Sequence, residues 1–265
     1  MAPRDVNTAP DDDPIDDKPM PLLEHIVELR RRLLWSIAGF LIAFFVCYYF
    51  SGKIYFFLAQ PLAAIMHQRG EQPHLIYTAL YEAFFTYLRV GIFGAAFVSF
   101  PLVASQIYLF VAPGLYRSEK RAIVPFLVAT PVLFVAGAAL AYYFVFPFAW
   151  RFFLSFQTPT GADGLQITLE AKVSEYLALV MKLIFAFGVA FQLPVLLTLL
   201  AKVGIVSSAS LRKFRRYAYV GMFVIAAILA PPDVLTQTGL AVPLVLLYEI
   251  SIICARFVEP KPVDG

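Results

Sequence analysis

The chain has 265 residues, 60% of them hydrophobic and 15% charged, against about 25% charged in an average soluble domain. That imbalance, together with uncharged runs long enough to cross a bilayer, excludes a soluble globule and predicts an all-α, polytopic membrane protein. A net charge of +3 on a chain of this kind argues against nucleic-acid binding.

His25, His67 and His74 all lie outside the apolar runs, so no imidazole is available for a heme or zinc site within the membrane. Cys47 and Cys254 lie inside those runs without a CxxC partner and read as buried free thiols. No metal and no cofactor is expected.

Residues 1–21 carry Asp11, Asp12, Asp13, Asp16 and Asp17 and almost no large apolar side chains. This reads as a disordered, acidic cytoplasmic tail rather than a signal or transit peptide, and it favours a bacterial plasma (inner) membrane. Residues 22–256 form the expected membrane domain, and 257–265 a short cytoplasmic tail.

With charges taken as fences, six transmembrane helices are predicted: Leu33 to Gly52, Val90 to Tyr116, Ala122 to Trp150, Leu183 to Ala201, Tyr217 to Pro232 and Val234 to Ala255. Prolines at 101, 113, 125, 131, 147, 194 and 243 lie in or beside these runs and predict kinked helices. The fifth run is short for a bilayer and demands local thinning or snorkelling by Arg215 and Arg216. Alternating loops place 15 of the 21 Lys and Arg on one side, which the positive-inside rule makes cytoplasmic, with both termini. Lys53 to Glu82 and Ser155 to Glu175 are then the long outer loops.

Glu28, in the amphipathic entry to the first span, reads in two ways. It pairs locally with Arg31 or Arg32, or it offers a carboxylate to a cationic partner. Glu119, the one acid among Arg117, Lys120 and Arg121, carries the same two readings on the same membrane face. Gln192, deep in the fourth span, is either helix-packing glue or a functional polar site. Glu249 and Lys182 are near enough to span ends to snorkel or to pair, and Glu175 lies on the helical face of Lys182. Pro231 and Pro232 stop one helix, and Asp233 is placed to cap the next.

These segments together resemble the TatC family, the receptor subunits of the bacterial twin-arginine protein translocase. The matching elements are His25-x-x-Glu28-Leu-Arg30, Phe110-x-Ala-Pro-x-Leu-Tyr-x-x-Glu119, Phe146-Pro147, Ala186-Phe-Gly-x-x-Phe-Gln-x-Pro194, and Pro231-Pro-Asp233 followed by Gln237. The resemblance implies a receptor and core subunit that binds paired-arginine signal peptides of folded cargo, for export driven by the proton gradient. It makes Glu28 and Glu119 the acids that receive the arginines, with Arg30 and Phe110 on the same surface.

The resemblance further implies that the fifth and sixth spans and the polar position of the fourth dock TatA-like and TatB-like single-span proteins. Gln192, Met222 and Glu249 are the residues expected there, in a homo- and hetero-oligomer within the lipid bilayer. The family often has Glu where this chain has Gln192, and Gln cannot titrate. Pro61 and Asp233 match outer-face positions with structural roles.

The competing reading is a polytopic small-solute transporter lined by Glu249, Lys182 and Gln192. The halves show no internal repeat of the kind such transporters carry. No HExxH, GxSxG or intramembrane Asp pair supports an enzyme, so no catalytic residue is expected.

Overall fold

A computed structural model of the chain describes residues 22–111, 124–157, 168–229 and 234–259. The described residues are helical apart from short connections and one isolated bridge between Ile76 and Lys172. Helix α1 (Leu22–Tyr49) continues from the amphipathic segment into the first apolar run without a break, so Glu28 and the membrane span share one rod about 42 Å long. Most of α1 faces outward, with Trp35, Ile42 and Phe45 more than half exposed. Such a surface calls for lipid or a partner helix against it.

The expected outer loop from Lys53 to Glu82 is largely a helix, α2 (Ser51–Gln68). Its buried residues Leu58, Pro61, Leu62, Ile65 and Met66 recur at helical spacing and form one face of the core. Pro61 therefore sits inside a helix and not in a loop. Gly70 at φ 79° then turns the chain back.

Helix α3 (Glu82–Val111) runs antiparallel to α1. A Cβ on Gly91 would come within 3.2 Å of the Tyr48 Cα, so a glycine there lets the two backbones close up. Helix α4 (Val124–Leu140) passes through a π-helical turn, Ala141–Val145, into α5 (Phe146–Leu154). At Gly137 a Cβ would stand 2.5 Å from the Phe187 carbonyl oxygen, which fixes the close crossing of α4 with α6 (Val173–Ala190).

The fourth apolar run breaks at Phe191 and Gln192 and resumes as α7 (Leu193–Lys202). Pro194 supplies no N–H to the Ala190 carbonyl, which accounts for the interruption. Ser207 caps α8 (Ser208–Lys213) by accepting from the Ser210 N–H at 3.1 Å. Helices α9 (Arg215–Leu229) and α10 (Val234–Val258) complete the bundle, with α10 packed on α7 and α9.

Among the described residues, five stretches are long and apolar enough to cross a membrane: His25–Tyr49, Glu82–Phe110, Pro125–Leu154, Val173–Lys202 and Thr236–Val258. The expected fifth span corresponds to α9, whose 15 residues reach only about 22 Å. The core lies between α2, the α4–α5 rod, α6 and α10, around Phe146, Leu177, Phe187 and Ile252.

Candidate functional site

Two cross-helix contacts show which residues share an end of the bundle. The His25 ring of α1 stacks on Phe110 of α3, and the Lys202 ammonium of α7 lies 5.9 Å from the Phe126 ring centroid of α4. Together with the contacts of α8 and α9 on the last turns of α10, they gather Arg30, Arg31, Arg32, Lys202, Arg212, Lys213, Arg215 and Arg216 at one end. Lys53, Arg69 and Lys172 lie at the other.

At the basic end, His25, Glu28 and Arg32 follow each other at i, i+3 and i+7, so all three share one face of α1. Gln106 and Phe110, four apart on α3, meet that face. The stacked His25 and Phe110 rings have centroids 4.3 Å apart at 19°. Arg32 donates from Nε to Glu28 Oε1 at 2.9 Å and from Nη2 to the same oxygen, while its Nη1 makes a longer 3.5 Å contact with Gln106 Oε1. Both partners of the ion pair are covered, at 17% and 18% side-chain exposure. Arg30 is exposed. Glu119 lies outside the described residues.

The local pairing of Glu28 therefore exists, with Arg32 as the partner, and the same guanidinium touches Gln106 of α3. Sequence reasoning passed over Gln106. The available signal was a Gln on an apolar helix one turn before Phe110.

Gln192 and Glu249 bond to different helices. Gln192 sits at the break between α6 and α7 and donates to the Thr130 carbonyl of α4 at 3.0 Å, while its Oε1 is buried without a partner. Met222 is buried on α9. Glu249 of α10 accepts from Arg215 Nη2 at 2.6 Å and from the Tyr219 hydroxyl at 2.5 Å, so the pairing expected for it is made with α9. Arg215, Tyr219 and Met222 share one α9 face at i, i+4 and i+7. Lys182 bonds to the Ile228 carbonyl at 2.8 Å and so satisfies an end carbonyl of the short α9.

At the opposite end, Pro61 has a physical role. A residue with an N–H at position 61 would satisfy the Phe57 carbonyl, and proline cannot. The Tyr142 hydroxyl donates to that carbonyl instead, at 2.7 Å, with its ring stacked on Phe57. Tyr176 donates to the Leu58 carbonyl at 3.0 Å, and Arg69 reaches the Leu154 carbonyl at 2.5 Å. Glu82 accepts from Ser174 Oγ at 2.6 Å and from the Thr78 N–H at 2.9 Å. Asp233 lies outside the described residues.

Among the described residues no three His, Cys, Asp or Glu side chains gather to hold a metal ion. Cys47 is buried and Cys254 partly so, both as free thiols. Fold and site together define a multi-pass helical membrane protein with basic side chains gathered at one end.

The sequence profile of the family "Sec-independent protein translocase protein (TatC)" matches residues 24–243. A TatC protein of Magnetococcus marinus is 50% identical over 92% of this chain and 87% of its own length. The TatC protein of Escherichia coli K12 is 39% identical over 91% of this chain and 90% of its own. A crystal structure of a twin-arginine translocase receptor, TatC, superposes with a TM-score of 0.76 at 37% identity, covering 88% of this chain and 99% of that one.

The chain belongs to the TatC family and is a subunit of the twin-arginine, Sec-independent protein translocase. The small-solute transporter reading is not favoured.

Proposed function

We propose that this subunit is the receptor and core of its translocase, set in the inner membrane of a bacterium with both termini and the basic end in the cytoplasm. Paired arginines of a signal peptide are received by Glu28, with Glu119 as the second acid and Arg30 and Phe110 alongside. The observation that carries this reading is the covered Glu28 carboxylate, which already accepts a guanidinium Nε at 2.9 Å between α1 and α3. Arginine suits such a site better than lysine because its planar fork reaches a carboxylate and a neighbouring acceptor together.

TatA-like and TatB-like single-span proteins are the partners this reading assigns to the exposed side of α9 and to α10, in an assembly that also contains further copies of the chain. Val220, Phe223 and Val224 are exposed there beside Gln237, an apolar face against which a membrane helix can pack. Gln192 holds α4 in this reading and carries no proton.

Binding of a synthetic Arg-Arg signal peptide to the purified protein in nanodiscs tests the receptor assignment. Glu28→Ala combined with Glu119→Ala should abolish binding while membrane insertion is kept, and replacement of the peptide arginines by lysines should weaken it. Unchanged peptide crosslinking in the double variant would overturn the assignment.

A further inference from the structure

We infer that Arg32 is a resident occupant of the arginine-receiving site, so that a signal-peptide arginine binds Glu28 by exchange with a guanidinium of the receptor itself. The inference rests on the receptor reading of Glu28 and adds to it a residue that sets the site's apparent affinity.

The geometry separates this pair from an ordinary i, i+4 contact on a helix surface. Such pairs are normally solvated, and both side chains remain free to leave. Here both are more than four-fifths covered. The guanidinium also reaches beyond its own helix, to Gln106 of α3, and so bridges the two helices at the receiving position. Arg30 and Arg31, adjacent in sequence, are exposed and take no part in these contacts.

Arg32 bonds side-on to one carboxylate oxygen, Oε1, through Nε and Nη2. A peptide guanidinium that takes the same carboxylate in a two-oxygen fork needs the face that Arg32 covers. The carboxylate is thereby kept paired and desolvated before the peptide arrives, which avoids the cost of a lone covered charge. An arginine that replaces it finds a slot already shaped for its plane.

An internal occupant lowers the apparent affinity by the fraction of time the site is free, so occupancy of about nine-tenths weakens binding about tenfold. Arg32→Gln should therefore tighten binding of an Arg-Arg signal peptide by about 3- to 10-fold, and binding of the Lys-Lys peptide by a similar factor, because the slot is freed without a change in its preference. Arg32→Lys, which keeps the charge but loses the fork, should give an intermediate gain.

The experiment is a titration of both peptides against the wild type, Arg32→Gln, Arg32→Lys, Arg31→Gln and Glu28→Gln, each in nanodiscs. Arg31→Gln removes one positive charge from an exposed neighbour. If it tightens binding as much as Arg32→Gln does, the gain is general electrostatics and the exchange is overturned. Unchanged or weaker binding in Arg32→Gln and Arg32→Lys, with loss of binding in Glu28→Gln, overturns the exchange and leaves the receptor reading standing. Unchanged binding in Glu28→Gln overturns the receptor reading itself.

Discussion

At the Glu82 end of the bundle, side chains reach backbone carbonyls and N–H groups of other elements: Tyr142 to Phe57, Tyr176 to Leu58, Arg69 to Leu154, and Glu82 to Ser174. At the basic end the contact between α1 and α3 rests on one pair of stacked rings and a guanidinium shared between Glu28 and Gln106. The first set of bonds goes to groups that cannot move without unwinding a helix. The second set joins side-chain tips that can change partners by a rotamer step. On the proposed receptor reading, the second arrangement lets the contact of α1 with α3 change partners where a peptide is received, while the first holds the helices of the far end in register.

The largest expected effect falls on the held end. Tyr142→Phe strands the Phe57 carbonyl and should cost about 1–3 kcal/mol of stability, read by denaturation in detergent. In a Pro61→Ala background the restored N–H serves that carbonyl, so the same change should cost about 1 kcal/mol less, and the coupling read from the double-mutant cycle should vanish if Pro61 plays no part. At the basic end, His25→Ala removes the ring stacked on Phe110 and should cost about 0.5–1.5 kcal/mol or less. It should speed hydrogen exchange in the first turns of α1 while leaving Val173 and Tyr176 protected; equal loosening at both ends would erase the contrast between them.

The smallest effect concerns pH. Both ring nitrogens of His74 face acceptors at 3.0 Å, the Gln72 carbonyl and the Glu170 carboxylate, an arrangement that only imidazolium satisfies with two donors. Its pKa is raised, first by the Gln72 carbonyl and then by Glu170. With the folded value above the unfolded one, the contribution is complete below the unfolded value and is lost as pH rises through the folded one. Exchange of the Ile76 and Val173 amides, which form the bridge beside it, should accelerate slightly across that window and should not do so in His74→Gln.

The apolar runs were legible because lipid demands them, and each helix covers most of its predicted run. Charges marked some helix ends closely, as Lys202 does for α7, and not others. Arg30 to Arg32 lie inside α1, and Lys53 lies inside α2, a helix within the stretch that charge fences assign to an outer loop. Among the residues grouped by the family resemblance, Glu28 and Phe110 fall on facing helices, whereas Gln192 points to α4 and Glu249 binds α9. Spacing along one helix gives a shared face, but which neighbour that face meets depends on the crossings fixed by close approaches such as Gly137 to Phe187, and no periodicity reports those.

The π-helical turn at Ala141–Val145 bears on how such a chain tolerates change. One wide turn carries an additional residue within an otherwise regular rod, and each residue of an α-helix advances the phase by about 100°. Because the wide turn spends that residue within one revolution, deleting a single residue between 141 and 145 would let the rod close to an uninterrupted α-helix with Phe146–Leu154 at nearly the same phase relative to α4. Trp150 would keep its packing on Tyr176, and the Leu154 carbonyl would stay within reach of Arg69. The wide turn thus absorbs one residue without turning the far end against the near one, whereas a deletion in the regular helix on either side would turn it by about 100°.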